Sequence, residues 1–575
     1  MIDQALAIRG EGSVRNLATA KLIKRSLKCS GCCFTWLVAI IVGNGATAQI
    51  KLDRLFPPAV AAGEETSVKA EGKFPVWPPT IICDRDDVHL SAAEEGVLRV
   101  SVDAASPPGV AWIRLHDNTG ATQLTPLLIE PIPVLSEKEP NDRIAQAIEL
   151  ASPAVVGGRL EKSGDVDTFR VSARQGQNLI VSLVANQVLR APMDAVLQLV
   201  DADGHVLMQT DDDRGLDPQI VFPVPSDGEF LIRVFAFPET PNSTIRYAGD
   251  ASYVYVLRAT TDSWLDHFLP LVDDSDSMSA PSGDVQPNGW SLPPGVEVTR
   301  KGPTGISPAT LSLPPPALGW QWQPSVSPRD AQFLQEQPDA KEMARAIRLP
   351  FVFSGHIAHA GEVDRILFQG SKGKRYLITV ESKRFGFPLD SVVRLVDPKD
   401  GSELRRNDDR ARRDYDAALE YEAQKDGEIE LQISDLVDGF GPRHAYSLIV
   451  REAKPDVVLE VSNDRFTLKP GDSAEVPVSI NRIGDFDLRT KILAEGLPAD
   501  VICEPVISES KGDTSKSVKL KLVAAEEAQP FQGEFRIVGQ PIDSDKQEAV
   551  NPKPATYKLR EAVHINQLWL TVVSE

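Results

Sequence analysis

Cysteine is scarce in this chain, with 5 among 575 residues. Three of the five lie within the first 48 residues, so the remainder carries only Cys83 and Cys503. This excludes the dense disulfide framework that stabilises many small exported domains. If the chain functions outside the cytoplasm, another element has to brace it, and a bound calcium ion would serve.

Positive charge is also in short supply. The 61 Lys and Arg residues stand against 82 Asp and Glu residues, which gives a formal net charge of −21. Because such a surface repels phosphate backbones, we expect no nucleic-acid partner and regard divalent cations as natural partners.

Motifs for catalysis are missing as well. The chain contains no His-Glu-x-x-His zinc motif, no Gly-x-Ser-x-Gly nucleophile turn, no Walker loop and no dinucleotide glycine fingerprint. Every block after the amino terminus has a β pattern, which leaves no room for a peptidase domain. We therefore expect no enzymatic activity.

Long apolar runs are absent except near the amino terminus. Six basic residues precede the run "CCFTWLVAIIV" (32–42), and Ala-Thr-Ala follows it, ending at Ala48. This order is typical of an export signal cleaved before Gln49, and the run is short for a bilayer span. We assign 1–48 to a signal peptide and expect the protein in the periplasm, at the cell surface or outside the cell. A membrane would be a partner only if the signal stayed as an anchor.

Short runs of alternating apolar and polar residues fill the rest of the chain. Examples are "GVLRVSVDA" (96–104) and "SVKLKLVAA" (517–525), and Gly, Pro, Asp and Asn turns separate such runs. This pattern predicts strands. Only "RIAQAIEL" and "AKEMARAIRL" have a helical pattern. The predicted fold class is all-β, with tandem β-sandwich modules of jelly-roll or immunoglobulin-like type.

An internal repeat divides the chain. Gly164-Asp-Val-Asp167 matches Gly361-Glu-Val-Asp364, and "PMDAVLQLVDADG" matches "PLDSVVRLVDPKDG". The motifs keep the same order over more than 100 residues, which indicates a duplication. The predicted domains are an immunoglobulin-like domain (49–135), the first copy (136–260), a Pro- and Ser-rich segment that is either a linker or a reduced immunoglobulin-like domain (261–335), the second copy (336–453) and a C-terminal immunoglobulin-like sandwich (454–575).

The repeated unit resembles the bacterial pre-peptidase C-terminal domain. The residues that carry the likeness are Glu139-Pro-Asn-Asp142, Gly164 to Phe169, the "LQLVDADG" hairpin and the closing strand at Tyr255. The resemblance implies an exported β-sandwich, and the flanking blocks resemble the immunoglobulin-type modules that accompany such domains. Two functions follow from it. The first is non-catalytic binding of an extracellular or cell-surface polymer or protein. The alternative is an accessory or remnant of a secreted peptidase system, with a separate peptidase as partner.

The collagen-binding domains of bacterial collagenases resemble the same family and hold calcium with a Glu-x-Glu-x-Asn-Asp segment. The resemblance therefore implies calcium in the first copy and, more weakly, in the second. Alternate side chains of an extended segment face the same way, and oxygen atoms are the ligands that calcium prefers. The first-copy candidates are Glu137, Glu139, Asn141, Asp142, Asp165 and Asp167, and the second-copy candidates are Glu336, Asp339, Glu362 and Asp364.

Two alternatives compete with metal binding at these acidic stretches. Residues 137–142 could be a solvated linker in which Asp142 caps the short helix that follows. The loops "DDDRGLD" (211–217) and "NDDRARRD" (407–414) are acidic too, but their mixed charge predicts plain surface turns.

Overall fold

A computed structural model describes most of the chain. It covers residues 49–240, 246–273, 286–296, 298–301, 310–313, 317–319, 325–326, 331–336, 347–412, 414–542, 552–560 and 563–573. The predicted signal segment (1–48) and Asp339 lie outside the described residues. Within them the all-β prediction is confirmed, because they contain strands and only two short 3₁₀-helices. In the same ranges, no helix has the length and hydropathy needed to span a membrane.

Residues 51–130, the N-terminal block, form two facing sheets with strand orders β1-β3-β6-β5 and β2-β9-β7-β4, and β8 pairs with β7. Alternate residues of each sheet, such as Val68 and Ile113, fill the core between them. The strands are β1 (Lys51–Phe56), β2 (Ala59–Ala61), β3 (Glu65–Lys73), β4 (Thr80–Cys83), β5 (Val88–Ala92), β6 (Val97–Val102), β7 (Gly109–Asp117), β8 (Gly120–Ala121) and β9 (Thr125–Glu130).

Residues 134–260, the first sandwich, form two five-stranded sheets. Their orders are β10-β12-β19-β14-β17 and β11-β13-β18-β15-β16. Leu257 of one sheet and Phe169 of the other belong to the same buried core. The elements are β10 (Val134–Ser136), the 3₁₀-helix η1 (Ile144–Gln146), β11 (Ile148–Leu150), β12 (Ala154–Arg159), β13 (Asp167–Ala173), β14 (Asn178–Val184), β15 (Met193–Val200), β16 (Val206–Thr210), β17 (Gln219–Pro223), β18 (Gly228–Pro238) and β19 (Val254–Thr260).

The described part of 261–335, the middle block, is packed β structure. Strand β20 is buried along its whole length and lies between β22 and β25, so these residues are not an extended linker. Phe268 and Leu271 form a small core together with Phe387 of the following sandwich. The strands are β20 (Trp264–Leu269), β21 (Val272–Asp273), β22 (Gln286–Trp290), β23 (Thr299–Lys301), β24 (Thr310–Ser312), β25 (Leu318–Gly319) and β26 (Ser325–Val326).

Residues 332–452, the second sandwich, have sheet orders β27-β28-β35-β30-β33 and β29-β34-β31-β32. The first sandwich has the same orders, apart from β11. The isolated parallel bridge between Ile347 and Phe368 stands where Leu150 of β11 meets Val171. The elements are β27 (Gln332–Gln335), β28 (Phe351–His356), β29 (Asp364–Gly370), β30 (Arg375–Glu381), the 3₁₀-helix η2 (Lys383–Phe385), β31 (Ser391–Val396), β32 (Glu403–Asn407), β33 (Ala418–Glu422), β34 (Gly427–Asp435) and β35 (Ala445–Glu452).

Residues 456–572, the C-terminal block, are organised by the long strand β43. Its first half pairs with β46, and its second half pairs with β39 and β44. The strands are β36 (Asp456–Val461), β37 (Arg465–Leu468), β38 (Ser473–Ile483), β39 (Arg489–Glu495), β40 (Val501–Cys503), β41 (Val506–Ser508), β42 (Ser517–Ala524), β43 (Phe531–Ile542), β44 (Lys553–Arg560), β45 (Val563–Ile565) and β46 (Leu568–Val572).

The blocks share a buried core. Trp112 of the N-terminal block packs in one apolar cluster with Val256 of the first sandwich, Trp264 of the middle block and Ile565 of the C-terminal block. The described residues of the chain after the predicted signal therefore pack as one compact unit. Burial of apolar side chains that belong to four blocks stabilises their relative positions.

The loop 211–217 of the first sandwich differs from the prediction of a plain surface turn. Arg214 is buried and pairs with the buried Asp266 of the middle block at 2.5 Å. Asp217 is fully buried and accepts hydrogen bonds from the backbone N–H groups of Asn186 and Gln187. The prediction was wrong here because the charges of this loop face a neighbouring block. Loop 407–414 is half-buried or exposed where it is described, as predicted.

Candidate metal centre

The acidic segment 137–142 lies between β10 and η1 in the chain. It contacts the end of β12 and the start of β13. Strand β10 pairs in parallel with β12, and the N–H of Glu137 extends this pairing to the carbonyl of Gly157 at 3.3 Å. Further along, the carbonyl of Asn141 accepts the N–H of Thr168 at 3.1 Å. These two attachments hold the segment, which bends at Glu139, across the end of the first sandwich, beside the first residues of β13.

Three carboxylates meet at this end of the sandwich. Glu139, Asp165 and Asp167 each place one oxygen within 4.8 Å of the oxygens of the other two. Calcium–oxygen distances are roughly 2.3–2.6 Å, so two ligands of one calcium ion lie no more than roughly 5 Å apart. The spacing of the three oxygens fits a single ion. Asp165 and Asp167 are fully buried, and Glu139 is exposed.

Asn141 adds an unsatisfied amide beside this cluster. Its side chain is fully buried, and neither Oδ1 nor Nδ2 has a hydrogen-bond partner. Oδ1 of Asp167 also lacks a partner. A buried polar atom without a partner costs about 1–3 kcal/mol, so such atoms are uncommon in native proteins. A cation bound by the amide oxygen and by Asp167 would satisfy both oxygens.

Asp142 and Lys162 lie at the rim. Nζ of Lys162 is 3.1 Å from Oδ1 of Asp165 and 3.7 Å from Oδ2 of Asp142, and the side chains of Lys162 and Asp142 are partly exposed. Lys162 therefore supplies one positive charge to a site with several negative ones. Asp142 does not cap helix η1, whose N-cap position is Arg143 and carries no side-chain hydrogen bond. The predicted capping role is wrong.

Glu137 does not join the three converging carboxylates. Its Oε1 accepts the backbone N–H of Arg159 at 2.6 Å, and its Oε2 accepts the hydroxyl of Tyr255 at 2.8 Å. Both oxygens therefore have protein partners, and the side chain ties the acidic segment to β12 and β19. Glu137 therefore anchors the segment, with Asp167 as its neighbour across Tyr255, and its role as a metal ligand stays a prediction.

Tyr255 is a site residue that the spacing of acidic residues did not identify. Its hydroxyl lies 2.5 Å from Oδ2 of Asp167 as well as near Glu137, and the side chain is fully buried. The sequence could have pointed to Tyr255 through its place in the closing strand of the first copy, because the closing strand of the second copy has Tyr446.

Gly158 leaves the room that this arrangement needs. A Cβ at that position would lie 2.6 Å from Oε2 of Glu137 and would overlap the ring and hydroxyl of Tyr255. Gly355 has the same place in the second sandwich, where a Cβ would lie 3.0 Å from the hydroxyl of Tyr446 and 3.1 Å from Oε2 of Glu336.

Burial of the acidic side chains opposes their ionisation. It raises the pKa of Glu137 to about 7, and together with the charge of Glu137 it raises the pKa of Asp167 well above its usual range. Burial and the charge of Asp165 also raise the pKa of Glu139. Acidic groups this close can all be ionised only if a cation is near. Lys162 supplies one positive charge, and protons or a metal ion could neutralise the remaining negative charges.

The second sandwich has a related cluster made by Glu336, Glu362 and Asp364, with one oxygen of each within 4.8 Å of the others. Glu336 donates its N–H to the carbonyl of Ser354 and accepts the N–H of His356, each at 2.9 Å. These bonds place Glu336 at the position of Glu137.

The remaining residues of the second cluster repeat the first. Tyr446 lies 2.6 Å from Oδ2 of Asp364, as Tyr255 does from Asp167. Counted from Glu336, the positions of Glu139 and Asn141 are taken by Pro338 and Ala340, which have no side-chain oxygen. Nδ1 of His356 lies 3.1 Å from Glu336, which raises the pKa of this imidazole. The described part of this cluster offers fewer ligands than the first.

A third group, formed by Asp201, Asp203 and His205, lies in the turn between β15 and β16. Oδ1 of Asp201 accepts the backbone N–H groups of Asp203 and His205, at 2.9 and 2.8 Å. The carboxylate thus closes the turn, and the group is largely exposed. This arrangement is explained by turn geometry.

The fold and the cluster together define a β-sandwich module with an acidic tether at one end. Comparison with known families agrees with this class, because residues 165–236 match the bacterial pre-peptidase C-terminal domain. One such domain is therefore present in the first sandwich.

Similarity to individual proteins is limited to part of the chain. A probable subtilase-type serine protease of Deinococcus radiodurans is 32% identical over 117 residues, which is 20% of this chain and 15% of that protein. A solved structure of the M60 catalytic domain with two CBM51 domains from Clostridium perfringens ZmpB covers 69% of this chain and 46% of that chain, at 11% identity and a TM-score of 0.15. At that score, the likeness carries no information on function.

Proposed function

We propose that this is an exported, non-catalytic multidomain protein whose β-sandwich modules bind an extracellular or cell-surface polymer or protein. In this proposal, calcium at the cluster of Glu139, Asp165 and Asp167 braces the first sandwich. The match of residues 165–236 to a pre-peptidase C-terminal domain supports export, because domains of this family occur in secreted bacterial peptidases.

The proposal of calcium depends on one observation. Three carboxylate oxygens lie within 4.8 Å of one another next to Asn141, whose buried amide has no hydrogen-bond partner. The donors are oxygen atoms, with neither imidazole nor thiolate among them, and this set favours a hard cation over a transition metal. Calcium also tolerates the irregular geometry that a tether and a sandwich provide together.

The position of the cluster gives the ion a mechanical role. The N-terminal block ends with β9, and the tether 137–142 follows β10 into the first sandwich. A cation would join Glu139 of the tether to Asp165 and Asp167 of the sandwich. Because a cation favours the ionised carboxylates, it would also displace the protons that burial otherwise keeps on them.

We also propose that residues 336–453 are a second domain of the same family and that the N-terminal and C-terminal blocks are immunoglobulin-like modules. The shared strand order of the two sandwiches supports the first part, as do the matched positions of Glu137 with Glu336 and of Tyr255 with Tyr446. The second copy would bind calcium more weakly, because the described residues around it offer fewer oxygen ligands.

A calcium titration by calorimetry tests the metal part of this proposal. With the full-length chain we expect one site of clearly higher affinity, and the variant Glu139→Gln with Asp165→Asn should remove that site. A titration without heat or binding at millimolar calcium would contradict the proposal. Intact mass of the exported protein would show whether residues 1–48 are removed.

A role beside a secreted peptidase is the second candidate. The 117 residues shared with a probable subtilase-type serine protease favour it. A zymogram with casein and gelatin separates the two candidates. Clearing by the purified chain alone would overturn the non-catalytic proposal. Greater clearing by a secreted protease in the presence of the chain than in its absence would favour the accessory role.

A further inference from the structure

Strand β16 is the last strand of its sheet in the first sandwich. In the order β11-β13-β18-β15-β16 it pairs with β15 on one side. Among the described residues, no further strand pairs with its other side. An edge strand presents unpaired backbone N–H and C=O groups, so the outer side of β16 can pair with another extended chain.

The side chains of β16 are apolar where solvent reaches them. Val206, Leu207 and Met208 are exposed by 53%, 41% and 38%. Ile144, which is also exposed, extends this apolar surface, because its Cδ1 lies 3.3 Å from the place that a Cβ would take on Gly204 in the preceding turn. Single exposed apolar residues are common, but a contiguous group on a sheet edge marks a surface for association.

Strand β32 has the same place in the second sandwich but a different surface. It is the last strand of its sheet, and its pairing with β31 has the same register irregularity as the pairing of β16 with β15. In this register Glu403 stands at the position of Val206. Arg405 stands at the position of Met208. Charged residues on an edge strand disfavour pairing with another chain, so the second sandwich has a protected edge and the first has an open one.

Acidic residues lie at both ends of the open edge. Asp201 and Asp203 precede β16, and Asp211 and Asp212 follow it. If two copies of the chain paired through β16, aspartates would face aspartates in either strand direction, and like charges across a strand pair are destabilising. The charge pattern therefore disfavours a second copy. It favours a partner segment with basic residues on both sides of an apolar centre.

We propose that the open edge of β16 binds an extended polypeptide segment that has apolar residues at its centre and Lys or Arg at both ends. The segment adds a strand beside β16, its backbone pairs with the free edge, and its apolar side chains cover Val206 and Met208. This names a partner class for the binding role proposed above and rests on that role.

Calorimetric titration of the full-length chain with synthetic peptides tests the inference. The probe is Lys-Lys-Thr-Val-Thr-Val-Thr-Lys-Lys, at about 0.15 M salt to screen unspecific attraction to the acidic chain. One control peptide has Glu in place of every Lys. The other is N-methylated at every Thr and Val, which removes the backbone donors that a strand needs. We expect the probe to bind and both control peptides to bind at least about tenfold more weakly.

A pair of variants tests the location. Val206→Glu with Met208→Arg gives β16 the residues that β32 has, without a change in net charge, and should weaken binding of the probe at least about tenfold. Val458→Glu with Ile502→Arg places the same side chains at exposed positions of the C-terminal block. This control variant should bind the probe as the wild type does.

Hydrogen exchange locates the bound probe. The amides within 206–210 that do not bond to β15 should exchange more slowly when the probe is present. No binding of the probe, equal binding of the N-methylated peptide, equal binding by the β16 variant or unchanged exchange at 206–210 would each overturn the proposal. A dimer of the wild-type chain that the β16 variant abolishes would assign the edge to a second copy and would overturn it too.

Failure of this site and failure of the proposed function give different results. A chain that calcium stabilises and that clears no casein, but does not bind the probe, loses only the β16 site. Clearing of casein by a chain that binds the probe would overturn the non-catalytic role and leave probe binding as a separate property.

Discussion

Glu137 and Glu336 occupy the same position in the two sandwiches. Each follows the first short parallel strand and accepts the backbone N–H of a residue at the end of the adjacent strand, Arg159 in one case and His356 in the other. Each also lies in a site with a buried tyrosine that contacts an aspartate. The first site adds Glu139 and Asn141 to this frame. In the sequence of the second copy, Pro338 and Ala340 stand two and four residues after Glu336, and neither has a side-chain oxygen.

Calcium should raise the melting temperature of the full-length chain relative to chelator. A ligand at about 100 times its dissociation constant stabilises the folded state by about 2.7 kcal/mol when it does not bind the unfolded state. Glu139→Gln with Asp165→Asn should abolish the rise. The matched control is Asp203→Asn in the exposed turn, which should keep it. Equal melting curves of the wild-type chain in calcium and in chelator would contradict the site.

Stability in chelator should fall as the pH rises. The pKa of Glu137 is raised by burial from 4.5 to about 7 in the folded state. The folded state therefore binds more protons than the unfolded state between these values, and the favourable contribution present below about pH 4.5 is lost as the pH passes about 7. Denaturant titrations from pH 4 to 8 would measure this fall, and Glu137→Gln should flatten it.

Calcium should counteract that pH dependence. Because metal and protons compete for the same carboxylates, the stabilisation by calcium should be at least about twofold larger at pH 8 than at pH 5. Melting curves at the two pH values, with calcium and with chelator, provide the comparison. A calcium effect that is larger at pH 5 would refute the link between the metal and the buried acids.

Removal of the Tyr255 hydroxyl should damage the metal centre as well as the fold. Tyr255→Phe removes the hydroxyl that lies between Glu137 and Asp167 and can donate to one of them at a time. We therefore expect a loss of about 1–3 kcal/mol in unfolding free energy and a weaker calcium effect. Tyr446→Phe is the matched change in the second sandwich. It should lower stability similarly and leave the high-affinity calcium site intact. Equal calcium affinities in wild type and Tyr255→Phe would show that the hydroxyl does not position the ligands.

The buried pair between blocks should contribute strongly to stability. Asp266 is fully buried and contacts Arg214 of the first sandwich and Arg443 of the second. Asp266→Ala leaves two guanidinium groups without this carboxylate, and the expected loss is about 3–5 kcal/mol. By calorimetry we expect one unfolding transition for the wild type and separate transitions for Asp266→Ala.

The exposed pair between Arg489 and Glu509 supplies the control for that experiment. Glu509→Ala should change the unfolding free energy by less than about 1 kcal/mol, because solvent screens exposed pairs. If Asp266→Ala had an effect as small as Glu509→Ala, the contact would not couple the blocks.

Patterns of neighbouring residues predicted the strands and the approximate location of the site. Polar and apolar residues alternate over 517–522, and residues 517–524 form β42 with every second side chain buried. The acidic residues 139, 165 and 167 do converge. The sequence did not show that Glu137 would anchor the tether instead, because this depends on how β10 is paired with β12.

The amino-acid sequence alone determined the all-β class, the strand pattern and the concentration of carboxylates before β13. Successive side chains of a strand point to opposite faces of the sheet, so a strand with one buried face shows alternating apolar and polar residues in its sequence. Only the tertiary structure decided which carboxylates meet, that Tyr255 joins Glu137 across 118 positions of chain, and that Arg214 is buried against another block. Those contacts arise from the pairing of strands and the packing of blocks. Both bring together residues that are far apart in sequence, and no pattern of neighbouring residues predicts such contacts.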